Sequence, residues 1–386
     1  MPRHLFKTLL FILTVFGTQV WAQAVPGRSG LGLSIGYFEG DATYQVGVIT
    51  LPSFYIDFEE RSAGVQNYKS TTRDVSILLD SLNKVGMDAL VIDLRYNGGG
   101  SLDEAIDLTG LFIPSGPIVQ VRNTDKTIDV LSDENPRVLY TGPLAVLENR
   151  YSASASEIFA AAIQDYKRGV VFGENSFGKG TVQSLLSLER PVLNYLNRLI
   201  SVNQFSNNGD LKGLRDKLYN KEISLGQLKM TLAKFYRASG SSTQRIGVRP
   251  DIAFPTYFTS DEVGESSSPS ALPWDEINSS LFSPTNYVSS NLIDHLYDEY
   301  KKHLADDSQL IDLVNDINKQ IEVNKDKSMS LNLSIRQREA EANKSSINLD
   351  GEIVKTKLFF SESDSVKMSK DPYLKESIRL MAQWIE

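Results

Sequence analysis

Three serines at alternate positions, Ser152, Ser154 and Ser156, precede an alanine-rich segment in the stretch YSASASEIFAAAIQDY. At the start of a helix the backbone N–H groups are unpaired and carry positive partial charge, so they can stabilise an oxyanion. A serine at this place can therefore act as a nucleophile if a base takes its proton. The alternative is that one of these serines only caps the helix.

Histidine and cysteine are poor candidates for this chemistry. The three histidines are His4, in an apolar N-terminal segment, and His295 and His303, in a charged C-terminal segment far along the chain from the serines. Cysteine is absent from the sequence, which excludes thiol chemistry. A Ser-His-Asp triad or a histidine-ligated metal is therefore not expected.

Lys179 is the remaining candidate base. It lies between two glycines in ENSFGKGTVQSL, directly after an apolar segment. Burial lowers the pKa of a lysine toward the range in which it accepts a proton, so a buried Lys179 could activate a serine. The alternative is a surface turn from which the side chain reaches solvent.

A glycine cluster, NGGG, follows the apolar run VIDLR. Glycine lets the backbone approach a ligand closely, so this cluster can supply a further N–H donor to an oxyanion. It could equally form a turn or an anion site.

Apolar runs alternate with amphipathic segments around these residues. Residues 71–86 and 101–113, and the segment after Ser154, have helical periodicity, whereas residues 228–252 read as a strand, a turn and a closing strand. Strands are predicted at 44–54, 89–94, 117–123, 142–150 and 169–175. The alternation predicts βαβ units in a layered α/β core.

The N-terminus is typical of a cleavable secretory signal, residues 1–24. Arg3 and Lys7 precede an apolar stretch at 9–16, and small residues at 22 and 24 mark a cleavage site. A buried helix and an uncleaved membrane anchor are the alternatives. Without cysteine there is no lipidation site or disulfide, so we expect a soluble periplasmic protein, or a membrane-associated one if the signal is retained.

The rest of the chain divides by composition. Residues 25–43 are a Gly-rich lead-in, 44–258 are the core with an insertion or cap at 186–226, 259–285 are a Ser-, Pro- and acid-rich linker, and 286–386 are helical and charged. The net charge is -8 and the pI is near 5.2. With no basic face in evidence, this acidity argues against a nucleic-acid partner.

Three long segments resemble the tail-specific proteases, or C-terminal processing peptidases. They are residues 91–122, which include NGGG, residues 142–183, which include SASAS and FGKGTVQ, and residues 234–252. The likeness continues through ALPWDEI and LNLSIRQREAE into the C-terminal region. The resemblance implies an α/β fold: a layered core of ββα units, similar to crotonases and Clp proteases, with a helical C-terminal region.

The resemblance also implies roles for single residues. Ser154 is the nucleophile, Lys179 is the general base, and Gln183 orients the lysine amine. Asp165 matches a position often counted as a third catalytic member. The oxyanion hole comes from the N–H of Ala155 and an N–H of Gly98, Gly99 or Gly100.

Asp165 raises a geometric difficulty. Eleven residues of straight helix place it about 16 Å along the axis from Ser154, too far for direct contact. It could set the field around Lys179, pair with Lys167 or Arg168, or have a purely structural role.

We therefore expect a secreted serine endopeptidase that cleaves protein substrates near their C-termini through an acyl-enzyme and needs no metal or organic cofactor. The family usually carries a PDZ domain, for which residues 25–43 are too short. Its partners would be unfolded or C-terminally exposed proteins, and an adaptor could supply substrate capture. The rival interpretations are a non-catalytic peptide- or ligand-binding protein and a crotonase-like acyl enzyme.

Overall fold

The computed structural model describes residues 20–25, 31–39, 43–202, 207–325, 330–344 and 371–386. The strands are β1 (Val20–Val25), β2 (Gly32–Glu39), β3 (Thr43–Thr50), β4 (Ala89–Asp93), β5 (Gly116–Asn123), β6 (Ile128–Asp133), β7 (Leu144–Glu148), β8 (Val170–Gly173), β9 (Thr181–Ser187), β10 (Gln227–Arg237) and β11 (Ile252–Ala253). The helices are α1 (Phe58–Ser62), α2 (Thr71–Val85), α3 (Leu102–Gly110), α4 (Ala155–Asp165), α5 (Glu189–Ser201), α6 (Gly209–Tyr219), α7 (Ser290–Asp306), α8 (Ser308–Lys325), α9 (Leu333–Lys344) and α10 (Pro372–Ile385).

The main sheet has the strand order β1-β2-β3-β4-β7-β8-β11. From β3 to β11 neighbouring strands are parallel, whereas β1, β2 and β3 pair antiparallel. All residues of β4, β7 and β8 are buried. Such continuous apolar strands are typical of parallel sheets that are covered on both faces.

A second, antiparallel sheet has the order β6-β5-β10-β9. It packs with α2, α3 and α4 over one face of the main sheet, in a core that includes Ile92, Val146 and Phe159. The helices α7 and α10 cover the opposite face through residues such as Leu296 and Ile378. The main sheet is thus the middle layer, and its carboxyl edge carries the glycine turn and the serine segment.

The α/β architecture with a parallel sheet and a helical C-terminal region confirms the expected fold class. The sequence predicts a Gly-rich lead-in at residues 25–43, but residues 32–39 of this segment form β2, which pairs with β3 along its length. Two glycines among these eight residues interrupt the alternation that identifies a strand. Residues 1–19 of the predicted signal lie outside the described residues, and β1 includes its last five.

The insertion at 186–226 contains the two helices α5 and α6, of which only Leu196 and Leu218 are buried. The expected linker at 259–285 has no long element, but it is bound to the core. Glu265 N–H donates to Phe177 O at 2.8 Å, and Ile277 N–H donates to Gly240 O at 2.9 Å. The domain boundaries themselves remain a prediction.

No helix in the described ranges is both long and apolar enough to span a membrane.

Candidate active site

Ser154 stands at the sharp turn that leads from β7 into α4. Its backbone has φ 58° and ψ −113°, a conformation that a residue with a side chain rarely adopts. Backbone strain of this kind persists only where surrounding contacts enforce it, and it is concentrated at functional sites. The turn places Ser154 at the N-terminus of α4, as the sequence predicts.

The three serines have different surroundings. Ser152 and Ser156 are fully buried, and their hydroxyls donate to Leu94 O and Asn97 O, each at 2.9 Å. Both therefore fasten the start of α4 to the segment that leads into the glycine turn. Ser154 is only partly buried and is the N-cap of α4, in a capping-box arrangement with Glu157. Ser154 is thus the one serine of the three whose side chain is not fully buried, as a nucleophile requires.

The loop around Lys179 is packed against the chain rather than projecting from it. Gly178 O accepts from Arg245 N–H at 2.7 Å, and Gly180 N–H donates to Gln244 Oε1 at 2.9 Å. Gln244 is itself fully buried. The side chain of Lys179 is half-buried, which is unlike an ordinary surface turn.

The surroundings of Lys179 favour the neutral form of its amine, the form that can accept a proton. Burial lowers the pKa of the Lys179 amine, and the charge of Lys229 lowers it further. The carboxylates of Glu265 and Glu157 act in the opposite direction. The net effect is a pKa below the ordinary lysine value of 10.5, so a larger fraction of the amine is neutral at a given pH.

Glu157 joins the nucleophile segment to the base segment. Its side chain is completely buried, and its Oε2 accepts from Ser154 N–H at 2.7 Å and from Lys179 N–H at 2.9 Å. Its Oε1 accepts from the Ser176 hydroxyl at 2.6 Å and from Gly178 N–H at 2.7 Å. Two nitrogens that donate to one oxygen lie within two hydrogen-bond lengths of each other, so residues 154 and 179 are close in space.

Glu157 is not among the site residues that the sequence predicts. Its signal was the spacing Ser154-x-x-Glu157 at a helix start, in which the glutamate reaches back to the N–H of the first residue. The capping box is present, and in it the glutamate accepts from Ser154 N–H at 2.7 Å.

The expected oxyanion donors lie side by side. A methyl group built on Gly99 would come within 3.0 Å of Ala155 N and 2.8 Å of the Ser154 Cβ, so only glycine allows this approach. Gly99 N–H donates to Asn97 Oδ1 at 2.9 Å and is therefore occupied. Within the described contacts, the N–H groups of Ala155, Gly98 and Gly100 have no acceptor.

Asp165 lies at the far end of α4 from Ser154. Its carboxylate accepts from Arg237 Nε at 3.0 Å and Nη2 at 2.5 Å, and from the Ser239 hydroxyl at 3.0 Å. Its partner is therefore neither Lys167 nor Arg168. Arg168 is fully buried and donates to the backbone.

Gln183 lies on β9, with its side chain exposed. Its amide donates to Thr231 Oγ1 at 3.5 Å, which is a long contact, and not to Lys179. The structure therefore brings Ser154, Lys179, Ala155 and the glycine turn together, whereas Asp165 and Gln183 have other partners.

His303 belongs to the C-terminal region, where its Nδ1 lies 2.7 Å from Glu376 Oε1. Within the part of the chain that the structure describes, no group of three or more His, Cys, Asp or Glu residues could hold a metal ion.

The chain is similar to known proteases. It is 39% identical over 294 residues to the tail-specific protease of Haemophilus influenzae, covering 75% of this chain and 36% of that protein. It is 34% identical over 200 residues to a carboxy-terminal-processing protease of Bartonella bacilliformis, covering 49% of this chain and 37% of the relative. The chain thus spans little more than a third of the length of these two relatives.

Among solved structures, the photosystem II D1 C-terminal processing protease matches 57% of this chain and 46% of its own, with 26% identity and a TM-score of 0.41. The model of the C-terminal domain of tail specific protease (DUF3340) matches residues 258–386. The model of peptidase family S41 matches residues 45–254, more than half of the chain. The chain therefore belongs to peptidase family S41.

Proposed function

We propose that this chain is a serine endopeptidase that cleaves protein substrates near their C-termini. Ser154 is the nucleophile and Lys179 is the general base, and the reaction passes through an acyl-enzyme. Neutral Lys179 accepts the proton of the Ser154 hydroxyl as Oγ forms a bond to the peptide carbonyl carbon. The carbonyl oxygen becomes an oxyanion and is stabilised by Ala155 N–H together with Gly98 N–H or Gly100 N–H.

The remaining steps return both residues to their starting states. When the peptide C–N bond breaks, protonated Lys179 gives its proton to the nitrogen, and the C-terminal fragment leaves as an amine. A water molecule then loses a proton to Lys179 as its oxygen attacks the ester carbonyl. When the bond to Oγ breaks, Lys179 returns that proton to Ser154, and the N-terminal fragment leaves as an acid.

One observation carries this proposal: Glu157 Oε2 accepts from the N–H groups of both Ser154 and Lys179. These residues are 25 positions apart in the sequence and need to meet for the dyad to work. The lowered pKa of Lys179 raises the fraction of neutral amine, which the first step requires, and the Ser154 side chain is only partly buried.

The test compares the full chain with its Ser154→Ala and Lys179→Ala variants. The substrates are an unfolded protein and an activated ester such as p-nitrophenyl acetate, which is small enough to need no capture. We expect wild type to cleave both, and both variants to be inactive while circular dichroism shows them folded. Equal activity in all three proteins would refute the dyad. Binding of the unfolded protein by wild type, without cleavage of either substrate, would favour the non-catalytic binding protein.

We infer that the protein acts in the periplasm on unfolded or C-terminally exposed proteins. The support for this location is the basic, apolar and small-residue pattern of residues 1–24 together with the absence of cysteine. Mass spectrometry of the protein recovered from the periplasmic fraction tests it. A chain that begins at Val25 is expected, and an intact N-terminus in the membrane fraction would indicate an anchor instead.

Substrate capture is a separate part of the proposal. If wild type hydrolyses the ester but leaves the unfolded protein intact, the chemistry stands and an adaptor is needed to deliver the substrate. Addition of an adaptor would then restore proteolysis without changing ester hydrolysis.

A further inference from the structure

Glu157 is a fully buried carboxylate that the proposed mechanism does not use. Its four hydrogen bonds reach two chain segments, the turn at Ser154 and the loop from Ser176 to Lys179. Neither segment is continuous with the other, and each carries one member of the dyad. Phe177 N–H also donates to Ser152 O at 2.9 Å, and Arg150 donates to Ser176 O at 3.3 Å. Among the described contacts, however, Glu157 is the side chain that accepts from the N–H groups of both dyad residues.

We propose that Glu157 is a positioning residue that sets the distance between the nucleophile and the base, and that it does so only as a carboxylate. The proposal rests on the Ser154–Lys179 dyad described above. Glu157 touches neither the substrate nor the reacting atoms. It acts through the backbone of both catalytic residues.

The hydrogen-bond pattern requires the ionised form. An ionised carboxylate only accepts, and here three of its four donors are backbone N–H groups, which cannot reverse direction. The fourth donor is the Ser176 hydroxyl, whose oxygen already accepts from Val248 N–H at 2.7 Å. A proton on Glu157 would therefore leave a donor facing a donor, or deprive Ser176 of its acceptor. Protonation would loosen the link between the two segments.

The bond to Ser154 N–H also opposes local strain. Ser154 has φ 58°, and its N–H points at Glu157 Oε2 from 2.7 Å away. A conformation of this kind persists when neighbouring contacts enforce it. Without the carboxylate, the turn is free to relax and carry the hydroxyl away from Lys179.

Burial, hydrogen bonds and neighbouring charges together set the pH at which Glu157 ionises. Burial raises its pKa to about 7, against the hydrogen bonds from Ser176, Ser154, Gly178 and Lys179, which lower it. The Lys179 amine, on the loop of residues 176–179, interacts favourably with the Glu157 charge. From β7, the buried Glu148 interacts with it unfavourably, and burial holds the pKa of Glu148 itself well above the ordinary value.

Activity is expected to fall as the pH is lowered. Glu157 is ionised above about pH 7 and becomes protonated as the pH falls through that value. The Lys179 amine must be neutral to accept a proton, so this requirement also makes activity rise with pH. We expect kcat/KM of wild type to fall on the acid side with the steepness of two protons, because two groups must both be deprotonated.

The principal variant is Glu157→Gln, which keeps the size of the side chain but in either orientation of the amide places an NH₂ against at least one backbone N–H donor. A misplacement of about 1 Å in a catalytic group can cost about 100-fold, so we expect kcat to fall by about that factor with little change in KM. The acid limb should become a one-proton limb. It should also move to lower pH, because the Glu157 charge no longer raises the pKa of Lys179.

Glu148→Gln is the matched control, since it replaces a second buried carboxyl group, whose oxygens have no partner among the described residues. Its kcat and the slope of its pH profile should equal those of wild type. Ser176→Ala should move the acid limb to higher pH, because it removes a hydrogen bond that lowers the pKa of Glu157. This variant also serves if Glu157→Gln does not fold.

Two results would overturn the inference. One is a Glu157→Gln protein with wild-type kcat and a wild-type acid limb. The other is loss of activity only in proportion to the unfolded fraction, with Ser176→Ala leaving the pH profile in place. Ser154→Ala is measured beside them. If it stays active, the dyad itself is wrong, whereas an inactive Ser154→Ala beside an active Glu157→Gln rejects only the role of Glu157.

Discussion

Gly100 and Gly98 belong to one glycine turn but differ in the space around them. Gly100 has φ 149°, and a methyl group on it would lie 2.0 Å from Phe54 O. Gly98 lies outside the left-handed region, and a methyl group there would meet nothing within 4 Å. The turn therefore tolerates a side chain at one of these positions and not at the other.

We expect Gly100→Ala to lower the free energy of unfolding by about 3 kcal/mol, because backbone strain and steric overlap add. The matched Gly98→Ala should stay within about 0.5 kcal/mol of wild type. Urea unfolding followed by circular dichroism measures both. Similar losses in the two variants would mean that the turn does not have the described contacts with Phe54.

Asp165 forms a largely buried ion pair with Arg237. The Asp165 side chain is 7% exposed and that of Arg237 is 15% exposed. Removing one partner of such a pair leaves the other charge poorly compensated, so we expect Asp165→Asn to lower the free energy of unfolding by about 3 kcal/mol. A double-mutant cycle with Arg237→Met should give a coupling energy of at least about 1 kcal/mol.

The same variant separates a structural from a catalytic role. If the role is structural, the activity lost in Asp165→Asn follows the folded fraction and returns as the temperature is lowered. A fully folded Asp165→Asn protein with the activity of Ser154→Ala would instead assign Asp165 to the chemistry.

The sequence best predicts the helices and strands whose apolar residues recur with a clear period. In α2, the buried residues Val75, Leu79 and Leu82 recur at helical spacing, and β4 is apolar throughout. The strand β6 has no such signal, because five of its six residues are not buried and it pairs only at the edge of a sheet. An exposed edge strand needs no apolar face, so its sequence resembles a loop.

The residues of the candidate site also differ in how far the sequence predicts them. Ser154 and Lys179 are predictable, because each stands in a motif of its own. The role of Glu157 is not, since its donors come from residues 154 and 176–179, which only the folded chain brings together. The partner of Asp165 is hidden for the same reason, because Arg237 is 72 positions away.

The helices α5 and α6 contribute little to the core. Each buries a single residue, and the adjoining ends of β9 and β10 are exposed. We expect replacement of residues 189–225 by a short Asn-Gly turn to preserve β9 and β10, which already pair at Ser187 and Gln227. The change in unfolding free energy should be below about 1 kcal/mol, or about 3 °C in Tm.

Calorimetry of the shortened chain measures this, and the parent chain is the control. A large loss of Tm, or loss of cooperative unfolding, would show that the two helices stabilise the core after all.

The C-terminal helix α10 is joined by an ion pair to the residues just before the glycine turn. Arg95, next to Tyr96 and the glycines, bonds Asp93 and also Asp371, the residue that caps α10. Burial raises the pKa of the Asp371 carboxyl, but Arg95 overrides it and holds that pKa below the ordinary value. This ion pair therefore adds stability above the ordinary pKa of 3.8, and the contribution is lost as the pH falls below it.

Asp307 provides a matched comparison for Asp371, because each carboxylate forms an ion pair that holds α10 in place. Asp307 pairs with Arg379 and Lys375 of α10 at 2.6 and 3.2 Å, and these charges, acting against burial, lower its pKa to about 2. We expect Asp371→Asn and Asp307→Asn each to cost about 2 kcal/mol at neutral pH, less than a fully buried pair because each carboxylate is partly exposed. Both losses should vanish at a pH below the two folded-state pKa values.

Only Asp371→Asn should also lower kcat, because only Arg95 adjoins the turn that carries the oxyanion donors. Steady-state kinetics at a temperature where both variants are folded distinguishes them. Equal kcat in the two would mean that α10 stabilises the sheet without positioning the turn. A lower kcat in Asp371→Asn alone would mean that docking of α10 is part of what aligns the glycine turn with Ser154, although Asp371 follows Arg95 by 276 positions in the sequence.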